Sequence, residues 1–316
     1  MTDNVMRFRE LFLGTCQRII ANATGSYRIF KNRKCRIRLS GSSVLPVCYP
    51  QNLAALVLIG TGLCMIFLDE PSHYWRETLP VGFLHTFGWL NALGNSSWLL
   101  IGSGVLCLVL LAQNTRRYGF RLRMALYSAF IYSAFLCYTV AASGLLVIAI
   151  KWPLGRARPK LFDTMGAFHF DPLIFKAAYS SFPSGHSTTV GATIVTLSLI
   201  FPSWRGFIIA AGFWVAISRV IWGAHYPSDA YTGVLLGAAF SYYSARILAR
   251  RHIGFKLSDD GRLHRSLGVS SARQCRHVIG KMLKRQKNRQ ATTSSSVPDI
   301  VVQPPAPLRS RKWNVR

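Results

Sequence analysis

Long and nearly uncharged apolar stretches constrain the fold of this chain more than any other sequence feature. A helix that crosses a bilayer needs about 20 mostly apolar residues, because each residue advances about 1.5 Å through a hydrocarbon core about 30 Å thick. Several such stretches in succession are hard to bury in a water-soluble helical bundle, which is the alternative. We therefore predict an all-α integral membrane protein with six transmembrane helices in a bundle. The predicted spans are residues 53–68, 97–112, 124–150, 186–201, 206–222 and 230–245.

Positive charge is concentrated in the two terminal segments. The chain has 38 Lys and Arg residues against 11 Asp and Glu residues, a formal net charge of +27. Nine of these cations precede residue 53, and 17 lie from residue 246 onward. Basic segments that flank spans bind anionic lipid headgroups, whereas the apolar middle of the chain excludes an intrinsically disordered protein. We expect the tails to contact membrane lipids rather than nucleic acid, and the sequence identifies no protein partner.

The same pattern divides the chain into three regions. Residues 1–52 form a basic N-terminal tail, residues 53–248 the six-span domain, and residues 249–316 a basic C-terminal tail whose Ser-rich and Pro-rich end is typical of disorder. In the N-terminal tail, apolar residues recur at helical spacing, which favours an amphipathic helix at the membrane surface as strongly as a frayed tail. Those residues are Val5, Phe8, Phe12, Cys16 and Ile19.

Loop charges predict which way the spans face. Cytoplasmic loops carry an excess of Lys and Arg, and the 113–123 loop has four arginines where the loop after the first span has only Arg76. With an even number of spans, both tails are then cytoplasmic, and the 151–185 and 223–229 loops face the opposite side. Cations in the first of these loops break the charge rule, which suggests an anionic ligand. They are Lys151, Arg156, Arg158, Lys160 and Lys176.

Three polar clusters fall at span ends on this opposite face. The first has a Lys and an Arg-Pro pair, the second begins the fourth span, and the third surrounds the loop between the fifth and sixth spans. Ammonium and guanidinium groups match phosphate oxygens, and the free N–H groups at the start of a helix bind anions. The clusters therefore predict a phosphate site. Its binding residues are Lys151, Arg158, Ser184 as helix N-cap, Gly185 and Arg219.

Two histidines in these clusters supply the chemistry for a reaction. His225 precedes Asp229 by four residues, a spacing that lets a carboxylate orient the imidazole. A neutral imidazole can attack phosphorus and form a phosphohistidine, while protonated His186 can donate a proton to the leaving group. We therefore predict His225 as nucleophile, Asp229 as its partner and His186 as general acid.

Plainer interpretations apply to the remaining polar groups. We interpret His73, His85 and His169 as interfacial polar residues. Arg156, Lys160 and Lys176 are interpreted as loop or headgroup contacts. A zinc site built from His186, His225 and Asp229 is an alternative, but three neighbouring cations would repel a divalent metal, so we expect no metal and no cofactor.

The three clusters together resemble the type 2 phosphatidic acid phosphatase family, the lipid phosphate phosphatases, which share their site with vanadium haloperoxidases. The family pattern is Lys, six residues and Arg-Pro; Pro-Ser-Gly-His; and Ser-Arg, five residues, His, three residues and Asp. The resemblance covers roughly residues 53–248, and it implies six helices and a metal-independent site at the outer membrane surface with the roles given above. The matching residues are Lys151, Arg158, Pro159, Pro183, Ser184, Gly185, His186, Ser218, Arg219, His225 and Asp229.

The resemblance also implies a substrate class. A site at headgroup depth favours a phosphate carried by a lipid, and the aromatic-rich 151–185 segment is expected to form a partly apolar external lid. Bacterial members similar to this chain act on lipid A phosphates, undecaprenyl diphosphate, phosphatidylglycerol phosphate or phosphatidate, so we expect a bacterial inner-membrane protein. The alternatives are a phosphotransferase on the same scaffold, a transporter whose ionisable groups line a path, and an oxidative enzyme that binds vanadate.

Overall fold

A computed structural model describes residues 2–33, 48–258 and 260–266 of the protein. These residues form ten α-helices and one small antiparallel hairpin. The strands are β1 (Phe255–Leu257) and β2 (Leu263–Arg265), with Lys256 opposite His264. The helices are α1 (Thr2–Asn32), α2 (Pro50–Cys64), α3 (Glu70–Glu77), α4 (Val81–Leu93), α5 (Ser96–Ala112), α6 (Phe120–Leu154), α7 (Phe162–Met165), α8 (Gly185–Ile200), α9 (Arg205–Ile221) and α10 (Pro227–Arg250).

Four helical stretches in the described residues are long and apolar enough to cross a membrane. They are Pro50–Glu77, Val81–Ala112, Phe120–Leu154 and Pro202–Ile221, and they contain or overlap four of the six predicted spans. Few side chains of the first two stretches are buried inside the protein, whereas about a third of the Phe120–Leu154 window is buried. The predicted spans 186–201 and 230–245 are also helical, as α8 and α10. They fall outside this set because α8 has 16 residues and both helices are rich in Ser, Thr and Gly.

Close backbone packing explains the small residues of α8 and α10. A Cβ atom on Gly191 would lie 2.0 Å from the carbonyl oxygen of Val234, and one on Gly237 would lie 2.0 Å from that of Thr188. Side chains larger than hydrogen are therefore excluded at these two crossings. Small residues allow such approach between helices in lipid. The α8 helix also packs against α6 and α9, which places it in the interior of the bundle.

Parts of both predicted tails are folded. The α1 helix contains the N-terminal residues at helical spacing, and Nδ2 of Asn22 donates a hydrogen bond to the carbonyl oxygen of Leu111, 2.7 Å away, at the end of α5. At the other end, the ring of Phe255 is fully buried 5.0 Å from that of Phe135. The folded region thus extends beyond residue 248. The side chains of Val5 and Phe8, and residues 34–47 and 267–316 of the predicted tails, lie outside the described part.

The packing between α8 and α10 predicts an unequal response to two Gly→Ala substitutions. Gly191→Ala is expected to lower the thermal unfolding midpoint in detergent, because the added methyl group overlaps the backbone of α10 and overpacking destabilises by about 1–3 kcal/mol. Gly102→Ala is the matched control, since a Cβ atom there has no neighbour within 4 Å. It should be neutral or stabilising. Equal midpoints for the two variants would contradict this packing.

Candidate active site

The structure brings the three predicted clusters together at one end of the bundle. They lie at the end of α6, at the start of α8, and around the loop that joins the end of α9 to the start of α10. The imidazole of His186 interacts electrostatically with Arg219 and His225. The same imidazole also interacts with Lys151 and Arg158. Two histidines and three cations from distant parts of the chain are therefore close enough for their charges to interact.

The start of α8 has the form expected of an anion-binding helix end. Ser184 is its N-cap, and Oγ of Ser184 accepts hydrogen bonds from the N–H of Ser187, 3.4 Å away, and from Oγ of Ser187, 3.0 Å away. The backbone N–H of Ser184 donates to the carbonyl oxygen of Asp229, at 3.1 Å. This bond fixes the start of α8 against the start of α10. Gly185, which has no Cβ, leaves the first turn of α8 open to a ligand.

The guanidinium groups of Arg158 and Arg219 each have one bonded nitrogen and one nitrogen without a hydrogen-bond partner among the described residues. Nη2 of Arg158 donates to Oγ of Ser180 at 3.2 Å, and Nη1 of Arg219 donates to Oδ1 of Asn91. Within residues 48–258, the buried Nε atoms of both arginines have no hydrogen-bond partner. Buried donors are normally satisfied, so these two are suited to an anion. Asn91, on α4, was not identified from the sequence.

His225 is buried and faces the carboxylate of Asp229. Its Nδ1 atom lies 3.6 Å from Oδ2 of Asp229, slightly longer than a hydrogen bond, and catalytic contacts of this kind often shorten when substrate binds. Burial lowers the pKa of His225 to about 4, although Asp229 opposes this shift. The imidazole is therefore neutral at physiological pH, which is the protonation state that a nucleophile requires.

Asp229 itself is fixed by three further donors. Oγ of Ser181 donates to Oδ2 at 2.5 Å, and the backbone N–H of Tyr226 donates to the same oxygen at 3.0 Å. The other carboxylate oxygen, Oδ1, accepts a hydrogen bond from Nη1 of Arg156 at 2.6 Å. The carboxylate is fully buried, so its orientation towards His225 does not depend on solvent.

Arg156 is the centre of a buried ion network, and its interpretation as a loop or headgroup contact was wrong. The side chain has no exposed surface, and its Nη2 atom lies 2.7 Å from Oδ2 of Asp69, which is also fully buried. Burial lowers the pKa of Arg156, but the charges of Asp229 and Asp69 outweigh this effect and raise it. Oγ of Ser228 completes the network, since it accepts from Arg156 at 2.7 Å and donates to Asp69 at 2.5 Å.

The remaining residues singled out from the sequence differ in how far their side chains are buried. His85 is exposed, and His169 lies 3.2 Å from Asp171 in the 155–184 segment. Lys160 and Lys176 are exposed, as expected for loop cations. His73 differs from its interpretation as an interfacial residue, because its ring is buried and stacks on Phe162 at a centroid distance of 4.0 Å.

Comparison with known proteins gives a consistent set of relatives. The family model of the PAP2 superfamily matches residues 132–253. A protein of Rhizobium johnstonii described as lipid A 1-phosphatase is 39% identical over 233 residues, which cover 72% of this chain and 91% of that protein. A Rhizobium etli protein of the same description is 41% identical over 213 residues, covering 65% and 88%.

A solved structure is also similar, at 20% identity and a TM-score of 0.45. It is a transmembrane PAP2-type phosphatidylglycerolphosphate phosphatase from Bacillus subtilis, and the match covers 63% of this chain and 94% of that one.

The buried ion network predicts that Arg156→Gln strongly destabilises the fold. Loss of the guanidinium leaves Asp69 and Asp229 without their shared cation, and breaking a buried pair in this way costs about 3–5 kcal/mol. The measurement is thermal or denaturant unfolding in detergent. Lys160→Gln, an exposed cation of the same segment, should change stability by less than about 0.5 kcal/mol. Similar stabilities for both variants would contradict the role of the network.

The burial of His225 predicts a protonation midpoint well below that of a free histidine. NMR of protein labelled with ¹⁵N in its histidine rings, compared with His225→Gln for assignment, should show a neutral ring at pH values where ordinary histidines are charged. The folded pKa of about 4 lies below the reference value of 6.5, so stability contributed by the neutral ring is lost as pH falls below about 6.5. A midpoint near 6.5 in the ligand-free protein would refute this description.

Proposed function

The chain belongs to the PAP2 superfamily, and from that premise we propose that it is a lipid phosphate phosphatase that acts through a phosphohistidine intermediate. Its family and its relatives make it a phosphate ester hydrolase and a multi-pass membrane protein. A hydrolase accounts for the clustered imidazoles and cations, so the transporter interpretation is not retained. The observation that carries the proposal is the neutral, carboxylate-held imidazole of His225 beside three cations.

In the first step, Nε2 of His225 attacks the phosphorus atom of the substrate. A P–N bond forms as the bond from phosphorus to the leaving oxygen breaks, and the electron pair stays with that oxygen. His186 donates its proton there, because a bound phosphate dianion favours the protonated imidazole next to it. Asp229 stabilises the positive charge that develops on His225. The products of this step are the dephosphorylated lipid and a phosphohistidine.

In the second step, a water molecule attacks the phosphohistidine. His186, now neutral, accepts a proton from this water as the new P–O bond forms and the P–N bond breaks. Inorganic phosphate leaves, and both histidines return to their starting states. The same residue thus serves as acid in one step and base in the next.

The cations stabilise the charge that builds up on the phosphoryl oxygens. Lys151 supplies a compact ammonium, and the Nε atoms of Arg158 and Arg219 supply two buried donors. The backbone N–H groups that follow Ser184, with Gly185 permitting close approach, add the dipole of α8. Positioned donors of this kind stabilise a transition state because they need no reorganisation as the reaction proceeds.

The phosphate of lipid A is the substrate that the relatives favour. Both curated relatives are described as lipid A 1-phosphatases, and the segment that follows α6 exposes aromatic side chains that suit acyl chains near a headgroup. Phe168 and Phe175 are 54% and 72% exposed there. Undecaprenyl diphosphate, phosphatidylglycerol phosphate and phosphatidate are the other candidates. We propose that this segment acts as the partly apolar lid of the site.

The proposed topology places the site on the periplasmic face of a bacterial inner membrane. It requires that α8 and α10 cross the membrane together with the four apolar stretches, so that six spans leave both termini in the cytoplasm. The four arginines of the 113–123 loop support this orientation, since such loops are retained on the cytoplasmic side.

The test is phosphate release by the purified full-length protein. The protein is incubated in detergent with lipid A, undecaprenyl diphosphate, phosphatidylglycerol phosphate or phosphatidate, with EDTA present throughout. We expect free phosphate from lipid A, with its 1-phosphate removed, and no loss of activity on chelation. A phosphorylated acceptor lipid in place of free phosphate would indicate the phosphotransferase, and inactivation by EDTA would indicate the zinc site.

Substitution of the two histidines separates their roles. His225→Ala should reduce turnover at least about 10³-fold on every substrate, as loss of a nucleophile does. His186→Ala should reduce turnover of the lipid by about 10²–10⁴-fold. It should slow the first release of p-nitrophenolate from p-nitrophenyl phosphate much less, because that leaving group needs no proton. His85→Ala, an exposed control, should retain activity. Near-full turnover by His225→Ala would refute the nucleophile assignment.

A further inference from the structure

A basic cavity lies away from the proposed catalytic site. Its volume is about 520 Å³, and it is formed between the β1–β2 hairpin, the end of α8, the start of α9 and the middle of α10. The residues that matter to the argument are Leu199, Arg205, Tyr242, Arg262, His264 and Arg265, all of which line it. Neither the family pattern nor the proposed mechanism uses any of them.

The cavity and the catalytic cluster lie at opposite ends of the same helices. The α9 helix begins at Arg205, in the cavity, and reaches Arg219, in the catalytic cluster, after 14 residues, a rise of about 21 Å. The α8 helix likewise starts next to Ser184, in the proposed phosphate site, and ends beside the cavity at Leu199. The two sites therefore face opposite sides of the bundle, and one cannot be an extension of the other.

The lining of the cavity is cationic. Arg205, Arg262 and Arg265 each contribute a guanidinium, and His264 adds an imidazole. Arg265 is held in place, because its Nη1 atom donates to the carbonyl oxygen of Ile200 at 3.2 Å. Among the described residues, Asp260 pairs with one of these cations, at 3.3 Å from Nε of Arg262. The remaining positive charge is suited to an anion and unsuited to a metal ion.

Exposed aromatic residues next to the cavity indicate its position relative to the membrane surface. Trp204 and Phe207, on either side of Arg205, are 63% and 69% exposed, and their rings lie 6.1 Å apart in an edge arrangement. Tryptophan beside arginine at the start of an apolar helix is typical of the boundary between headgroups and hydrocarbon. The cavity therefore opens where phospholipid headgroups lie, with apolar surface beside it for an acyl chain.

We propose that this cavity binds the headgroup phosphate of an anionic phospholipid from the leaflet opposite the catalytic site. Arg205 and Arg262 contact the phosphate oxygens, and Arg265 supplies fixed positive charge behind them. The bound lipid connects the hairpin to the end of α8 and the start of α9, and it would therefore stabilise the hairpin. This site is independent of the reaction that we propose for the other face.

The test compares lipid binding by two double variants of the full-length protein in detergent. Arg205→Gln/Arg262→Gln removes two exposed cations from the cavity, and Arg117→Gln/Arg121→Gln removes two exposed cations from the 113–123 loop. Native mass spectrometry measures the Kd for phosphatidylglycerol, with phosphatidylcholine as the zwitterionic control. The cavity variant should weaken phosphatidylglycerol binding at least about tenfold, and the loop variant less than about threefold.

Three results would overturn the proposal. Equal weakening in both double variants would mean that phosphatidylglycerol responds only to general surface charge. Equal affinity of the native protein for phosphatidylcholine would remove the requirement for an anionic lipid. Full displacement of phosphatidylglycerol by inorganic phosphate at millimolar concentration would assign the cavity to a soluble anion. Circular dichroism of each variant verifies that it is folded, and the single variant Arg262→Gln, at a 68% exposed side chain, should give an intermediate Kd.

Discussion

The ion network of Arg156 is the interaction on which the rest of the site depends. One guanidinium lies between two fully buried carboxylates, Asp69 within the stretch Pro50–Glu77 and Asp229 at the start of α10. Neither carboxylate could remain charged in this environment alone, because an unpaired buried charge is strongly unfavourable. The network therefore fixes the loop after α6 against two helices, and it holds Asp229 in the orientation that faces His225.

Glycine contacts between α8 and α10 complement this electrostatic constraint. Close approach at Gly191 and Gly237 sets the distance between the two helices, and the hydrogen bond from Ser184 to Asp229 joins their starts. His186 and His225 are thereby held on neighbouring helix ends. Most of the candidate site therefore lies at helix termini, where backbone N–H groups are free of intrahelical partners and polar side chains are close together. The interior position of α8 and α10 also explains why they are less apolar than the helices around them.

The sequence was sufficient to predict which polar groups the structure brings together, and insufficient to predict the groups that hold them in place. Spacing placed Lys151, His186 and His225 at helix ends on one face, and the structure brings them together. Arg156 could not be distinguished from neighbouring loop cations, because its partner Asp69 lies 87 residues away. An acidic residue directly after the predicted span 53–68 was the available signal. Asn91 carried no signal, since one amide on an apolar helix has no pattern. No short motif specifies a lipid chain, because apolar chains are bound by extended surfaces. The proposal of lipid A therefore comes from the relatives.

The most direct test of the account is to trap the covalent intermediate. The full-length protein is mixed with phosphorylated lipid substrate, quenched in alkali during turnover, and digested for mass spectrometry. We expect a phosphoryl group on His225 that is stable in alkali, lost in acid and absent from His186. Turnover without any phosphohistidine, or a phosphoryl group on another residue, would contradict it.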